Sequence, residues 1–115
     1  MADQVEIQAP KTRWYEGSAF AAAAYFRDRA TAAADTPTNV YYRIDCLKTG
    51  TELQDWTSVS AASSVNIAVT PTHNAIQNQG NRRERKQLTV VADYGLSTEH
   101  KGIFVWQVEN LRGSP

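Results

Sequence analysis

The stretch TPTNVYYRID, residues 36–45, decides the fold class of this chain. After its proline, large apolar residues recur at every second position and continue into the cysteine that follows. The positions between them hold Tyr41, Arg43 and Asp45. A period of two, with β-branched and aromatic residues on one face, is typical of a half-buried β-strand. The stretch therefore predicts a strand whose core-facing residues are Val40, Tyr42, Ile44 and Cys46.

Short alternating runs separated by polar turns continue the pattern downstream. The turn Leu47–Thr51 contains a glycine that can take a positive φ angle. The Asn- and Gln-rich residues 72–81 have no period, which predicts a long crossover loop between two sheets. Residues 60–64 and 97–102 are predicted to be turns. Strands are predicted at residues 52–58, 65–69, 87–94 and 103–111.

The segment Ser18–Arg29 is compatible with two structures. Its alanine run has a high helix propensity, and Ser18 could cap a helix. The large residues Phe20 and Phe26 also alternate with small ones, however, and Arg27 would interrupt the apolar stripe of a helix. We expect a strand, because residues 31–38 have the composition of a loop that leads into the next strand.

About seven strands with turn signals at short intervals predict an all-β, immunoglobulin-like β-sandwich. The chain has 115 residues, the size of one domain, and a single cysteine, so packing must join the sheets without a disulfide. We expect the sandwich at residues 17–112. A flexible N-terminal arm, within which Val5 and Ile7 could form an edge strand, is expected at residues 1–16, and a short C-terminal tail at residues 113–115.

Composition limits the possible functions. Hydrophobic residues make up 42% of the chain and charged residues 21%, which is ordinary for a globular protein. The formal net charge is zero, so we expect neither nucleic acid nor a membrane surface as a partner. The sequence shows neither a signal peptide nor a membrane-spanning run of about 18 apolar residues. A protein made in a reducing cytosol is expected.

Two tracts carry a resemblance to a known class of proteins. The first is FAAAAYFRD at residues 20–28, followed by TPTNVYYRID at residues 36–45. The second continues through DWTSV at residues 55–59, LTVVAD at residues 88–93 and FVWQVENL at residues 104–111. Over most of residues 17–111 the chain resembles the immunoglobulin-like or fibronectin-type modules of small structural proteins in tailed bacteriophages.

The resemblance implies a non-enzymatic virion protein that is made in the cytoplasm of a host bacterium. The first expectation is a capsid decoration, or cement, protein that stabilises the head. Its partners would be the major capsid protein or other virion proteins, in a multi-copy homo-oligomeric assembly. One alternative is a head–tail connector, tail or fibre-attachment ring subunit. The second is a carbohydrate-binding module for adsorption to the host surface.

No motif for catalysis or cofactor binding occurs in the sequence. The Gly-x-Ser-x-Gly elbow and the glycine spacings of phosphate-binding loops are missing, so we expect no catalytic residues and no cofactor. His73 and His100 lie in polar segments and are predicted to be surface residues without a bound metal. Cys46 continues a buried face, which predicts a core residue rather than a nucleophile.

Two groups of residues are candidate partner-binding sites. An aromatic pair near the N-terminus could hold the arm on its own domain or on a neighbouring subunit. A basic run before a predicted strand could bind an acidic protein surface, or it could keep a strand edge in solvent and unpaired. No aromatic residue is interleaved in that run, which argues against nucleic acid. The residues are Trp14, Tyr15, Arg82, Arg83, Arg85 and Lys86.

The other two tryptophans receive different interpretations. Trp106 alternates with Phe104 and Val108, which predicts a core position. The position of Trp56 is left open by the sequence. A sugar-binding site would require two aromatic rings exposed side by side.

Overall fold

Residues 3–111 form eight β-strands in two sheets in the computed structural model of this chain. No helix occurs among these residues, and the expected tail at residues 113–115 lies outside them. Because the core draws residues from both sheets, the all-β architecture is consistent with a β-sandwich. The strands are β1 (Gln4–Gln8), β2 (Arg13–Tyr15), β3 (Phe20–Arg27), β4 (Val40–Cys46), β5 (Glu52–Val59), β6 (Ser64–Val69), β7 (Arg83–Ala92) and β8 (His100–Glu109).

The two sheets differ in size. The smaller has the order β1-β3-β6, and the larger has the order β2-β8-β7-β4-β5. Neighbouring strands are antiparallel except β2, which runs parallel to β8. The stretch that decides the fold class becomes β4, between β7 and β5. Val40, Ile44 and Cys46 are buried as predicted, and Tyr42 is half-buried against the core, which confirms the alternation.

The ambiguous segment after Ser18 is a strand. Residues Phe20–Arg27 form β3, which is paired with β1 along one edge and with β6 along the other. Phe20, Ala22, Ala24 and Phe26 are buried. Pairing on both edges and burial of one alternating face outweigh the helix propensity of the alanines.

The core between the sheets is centred on aromatic residues. The ring of Phe20 meets Trp106 edge-on, with ring centroids 5.4 Å apart. Trp106 is buried as predicted, and its indole N–H donates to Asn74 Oδ1 at 2.7 Å. Asn74 belongs to residues 70–82, which connect β6 to β7 without a strand. This segment is the predicted crossover between the sheets, and it caps one end of the core.

The N-terminal residues are part of the sheets. From Gln4 to Tyr15, where a flexible arm was expected, the chain supplies edge strand β1 to the smaller sheet and β2 to the larger one. The edge strand that Val5 and Ile7 could form is therefore present. Val5 lies against β8, where a Cβ atom at Gly102 would be only 2.9 Å from Val5 Cβ.

The hairpin of β7 and β8 is longer than the sequence pattern predicts. The pairing runs without a break from Arg83 opposite Glu109 to Ala92 opposite His100. The sequence pattern begins the first of these strands only at residue 87, after a run of charged residues, and places the polar residues 97–102 in a turn. Both segments are strand, because residues 83–86 pair with the end of β8 and residues 100–102 pair with the end of β7.

Candidate functional site at the basic end of the larger sheet

Four of the predicted partner-binding residues come together at one end of the larger sheet. Arg83 pairs with Glu109 across β7 and β8, and Tyr15 pairs with the same Glu109 from β2. Two residues along the strands, Arg85 and Arg13 flank Gln107 in the same way. Arg82 immediately precedes β7. The sheet register therefore joins the aromatic pair and the basic run, which lie far apart in sequence, on one surface.

We call this surface the basic end. Arg13 and Arg83 both approach Glu109, with Nε to carboxylate oxygen distances of 3.4 and 3.7 Å. Among residues 3–111 no carboxylate forms an ion pair with Lys48, Arg82 or Arg85. One carboxylate therefore meets two guanidinium groups while three further cations stay unmatched, and the surface is positive although the chain is neutral overall. The cations of the basic end are Arg13, Lys48, Arg82, Arg83 and Arg85, all exposed.

Exposed apolar side chains accompany these cations. Tyr15 is 59% exposed, Leu47 is 47% exposed and Leu111 is 61% exposed. Two shallow cavities meet at Arg83, with volumes of about 280 and about 430 Å³. One contains Tyr15 and Leu111, and the other contains Leu47. Protein-binding surfaces are enriched in arginine and tyrosine, and the exposed leucines add apolar area beside these residues.

Lys86 does not belong to this surface. It is fully buried, and so is Glu84, with Lys86 Nζ 3.0 Å from Glu84 Oε1. The prediction that Lys86 is an exposed partner-binding residue is therefore wrong. The strand β7 extends through this segment, and its alternation directs Glu84 and Lys86 to the core. Of the four basic residues predicted to bind a partner, Arg82, Arg83 and Arg85 are exposed.

The buried pair fixes the crossover loop beneath the basic end. Glu84 accepts hydrogen bonds from the backbone N–H groups of Gln77 and Asn78 and from the Asn81 amide. Lys86 donates to the Ala75 carbonyl at 2.9 Å. Burial alone would raise the pKa of Glu84, but these donors and the Lys86 ammonium outweigh it and lower the pKa to about 2. Glu84 is therefore ionised at neutral pH.

Trp14 is turned away from solvent. Its ring stacks on Phe20 with centroids 4.4 Å apart and planes 5° from parallel. Its indole N–H donates to the Lys11 carbonyl, and the Lys11 ammonium lies 4.4 Å from the ring centre. Two alternatives were predicted, packing on its own domain or on a neighbouring subunit, and the structure shows the first for Trp14. Tyr15, with the opposite side-chain direction, is the exposed member of the pair.

The histidines differ from the prediction in one case. His73 is buried: its Nδ1 accepts the Thr70 N–H at 3.0 Å, and its Nε2 lies 3.2 Å from Gln54 Oε1. Burial lowers the pKa of His73, so the ring is neutral at pH 7. His100 is half-buried, with Nδ1 2.8 Å from the Thr98 carbonyl oxygen. Cys46 is buried in the core, as predicted.

Sequence analysis missed part of the basic end. Arg13, Lys48, Leu47 and Leu111 join it only through strand register and the position of the β4–β5 turn. Parallel pairing of the three-residue β2 with β8 has no signal in the sequence pattern. What the assembled residues can do is hold an acidic or mixed acidic and apolar surface, through cations that set orientation and apolar contacts that add affinity.

No known protein-family model matches the chain, and no curated protein matches it significantly. Among residues 3–111 no group of three or more His, Cys, Asp and Glu side chains is arranged to hold a metal ion. Within the same residues, none of the segments is a helix long and apolar enough to cross a membrane.

Proposed function

We propose that this protein is a non-enzymatic structural protein of a tailed bacteriophage virion, made in the host cytoplasm and attached to the particle through its basic end. Capsid decoration is the function that we favour, with the major capsid protein as the partner. The sequence resemblance supports the phage setting. The observation that carries the attachment surface is the convergence of Tyr15, Leu47 and Leu111 with five exposed cations on one end of a neutral chain.

The strand order supports the immunoglobulin-like form of the sandwich. In that fold strands B and E are neighbours in one sheet, and strands G, F, C and C′ follow one another in the other. The neighbours β3 and β6 correspond to B and E, and the order β8-β7-β4-β5 corresponds to G-F-C-C′. One departure concerns the core tryptophan. Trp106 lies on β8, which corresponds to strand G, whereas the immunoglobulin fold has its tryptophan on strand C, which corresponds to β4.

Attachment would combine orientation and multiplicity. Unmatched cations at the basic end would direct the long body of the protein, 52 Å by 25 Å by 20 Å, onto an acidic area of the shell. Tyr15 and the two leucines would then be buried against the partner. Many copies on one lattice, in contact with neighbouring subunits, would stabilise the shell although each contact is modest. The same surface would serve a ring subunit of the neck or tail, which is the second candidate.

Immunogold electron microscopy on purified particles of the encoding phage separates these possibilities. Gold over the heads supports decoration, and gold restricted to the neck or tail supports the ring subunit instead. An absence of gold on intact particles, together with label in the unassembled fraction of the lysate, would contradict a virion location altogether.

A charge reversal tests the surface itself. Particles from a phage that lacks the gene are mixed with purified protein, and bound protein is measured after sedimentation. Arg85→Glu should weaken binding at least about tenfold, because it places like charges opposite each other. Arg29→Glu makes the same change in charge on an exposed loop outside the basic end and should bind as the unmodified protein does. Equal losses in the two variants would refute the basic end as the contact.

A further inference from the structure

A second concave site lies at the other end of the same sheet face. It is a cleft of about 270 Å³ lined by Tyr41, Trp56, Val91, Tyr94 and Lys101, which we call the aromatic cleft. Tyr41, Val91 and Lys101 are consecutive cross-strand neighbours on β4, β7 and β8. Trp56 is 46% exposed and Tyr94 is 63% exposed. Three aromatic rings and one lysine thus surround a space just below the usual range for ligand sites, which is about 300–1,000 Å³.

The floor of the cleft is an outward-facing residue that is nevertheless buried. On β7 the core-facing positions include Val90 and Ala92, so Val91 points to the outer face of the sheet. Only 2% of Val91 is exposed. The surrounding cleft residues cover this position on the outer face, and the cleft is a preformed depression with an apolar base.

Irregular backbone directs Trp56 into the cleft. Tyr42 pairs with Thr57 and Ile44 pairs with Gln54, so the one intervening residue of β4 faces both Asp55 and Trp56 on β5. Two residues opposite one is a β-bulge, and bulges often re-aim a side chain next to a binding site. The Asp55 carboxylate accepts a hydrogen bond from the Trp56 N–H at 2.7 Å, which stabilises the bulge.

Tyr94 is positioned by a separate device. The Asn39 side chain accepts the Tyr94 N–H at 2.7 Å and donates to the Tyr94 carbonyl at 3.2 Å. The preceding Asp93 has a φ of 56°, the left-handed conformation, and its carboxylate is fixed by the Thr38 N–H and the Thr98 hydroxyl. Backbone strain of this kind is concentrated at functional sites. The Tyr94 ring meets Tyr41 edge-on at 5.8 Å.

We propose that the aromatic cleft binds an acidic sugar residue of a glycan. A sugar ring offers an apolar C–H face for stacking on Trp56 or Tyr94, and hydroxyl groups for the polar edge. The Lys101 ammonium, which forms no ion pair with a carboxylate among residues 3–111, matches a sugar carboxylate. The two exposed rings, Trp56 and Tyr94, line the same cleft, and the site is distinct from the basic end.

The lining disfavours two other occupants. An aromatic cage for a quaternary ammonium group would not place a lysine at its rim, because like charges repel. A proline-rich peptide needs an aromatic groove that continues over several residues, whereas this cleft has a volume of only about 270 Å³. The neighbouring Arg43 is already neutralised by Asp45 at 2.9 Å and Glu52 at 3.3 Å, so Lys101 is the available cation.

Titration with a defined acidic sugar tests the assignment. The probes are a galacturonic acid trisaccharide, its carboxyl-reduced neutral form and a proline-rich peptide. Binding is followed by two-dimensional NMR of the labelled protein, in which the indole N–H of Trp56 is a direct reporter. We expect saturable shifts at Trp56, Tyr94 and Lys101 with the acidic trisaccharide, and binding of the neutral form about threefold weaker.

Two variants and one control complete the test. Trp56→Ala should weaken binding of the acidic trisaccharide roughly tenfold, and Lys101→Gln should remove the preference for the acidic form. Ile103→Ala removes an exposed apolar side chain, 62% exposed on the same sheet face, from outside the cleft and should leave binding unchanged. No saturable shift with either sugar, shifts outside the cleft, or saturation by the peptide alone would overturn the proposal.

Discussion

A buried carboxylate is costly unless donors surround it, and Glu84 has five of them. They are the N–H groups of Gln77 and Asn78, the Asn81 amide, the Lys86 ammonium and the Cys46 thiol. These groups come from β4, β7 and the crossover loop. Glu84 therefore connects the loop to the larger sheet directly behind Arg83 and Arg85. All five donors stabilise the negative charge of the same carboxylate.

Glu84→Gln should lower the free energy of unfolding by about 3–5 kcal/mol, because it leaves the Lys86 ammonium buried without a counter-ion and turns an amide NH₂ toward donors. Urea unfolding measured by fluorescence gives the value. Arg85→Gln, an exposed neighbour on the same strand, is the control and should stay within about 0.5 kcal/mol of the unmodified protein. Equal effects of the two substitutions would show that the pair adds nothing.

The same residue predicts a pH dependence that serves as a second readout. Because folding lowers the pKa of Glu84 from 4.5 to about 2, the unfolded chain binds more protons in that interval. The resulting stabilisation, about 3 kcal/mol, is complete above pH 4.5 and is lost as the pH falls through about 2. The Glu84→Gln variant should lack this contribution, so its stability should fall less steeply over the same interval. Parallel curves for the two proteins would contradict this account.

At the scale of elements, β1 depends on the absence of a side chain at Gly102. A Cβ atom there would lie 2.9 Å from both Cβ and Cγ1 of Val5 and 3.3 Å from its carbonyl oxygen. Gly102→Ala should therefore displace β1 and cost about 1–3 kcal/mol. Hydrogen exchange should show loss of protection at β1 amides while β7 stays protected.

A double substitution distinguishes this steric effect from a general one. Val5→Gly removes both side-chain atoms that the new Cβ would meet, Cβ and Cγ1, so Val5→Gly with Gly102→Ala should cost less than the sum of the two single changes. Strict additivity would mean that contact with the Val5 side chain is not the cause.

Period-two alternation in β3, β4, β6 and β8 could be identified from sequence because one face of each strand is apolar. The pattern failed where charged residues face inward. Glu84 and Lys86 form a buried ion pair, and no local feature of the sequence indicates that pairing. It failed also at the ends of the sheet, where Tyr15 meets Arg83 only through the register of three strands. The bulge that aims Trp56 is likewise a property of two paired strands, which explains why the role of Trp56 stayed open.

At the scale of the whole molecule, the basic end and the aromatic cleft occupy opposite ends of one sheet face. Arg83 and Val91 both lie on β7, and at about 3.3 Å per residue they are roughly 26 Å apart. A rigid sheet with two such sites suits a protein that holds a particle at one end and presents the other. The two proposed sites can be tested separately, because sites so far apart should not influence each other.

The two proposed sites should therefore fail independently. Arg85→Glu should weaken particle binding and leave trisaccharide binding unchanged, whereas Trp56→Ala should weaken trisaccharide binding and leave particle binding unchanged. In the double variant each loss should equal that of the single change within about 0.5 kcal/mol. Sedimentation with particles and NMR titration with the trisaccharide measure the two activities on the same preparations. If either single change weakened both activities by the same factor, the two ends would form one functional surface, and the outer face of the sheet would have to be assigned to one partner.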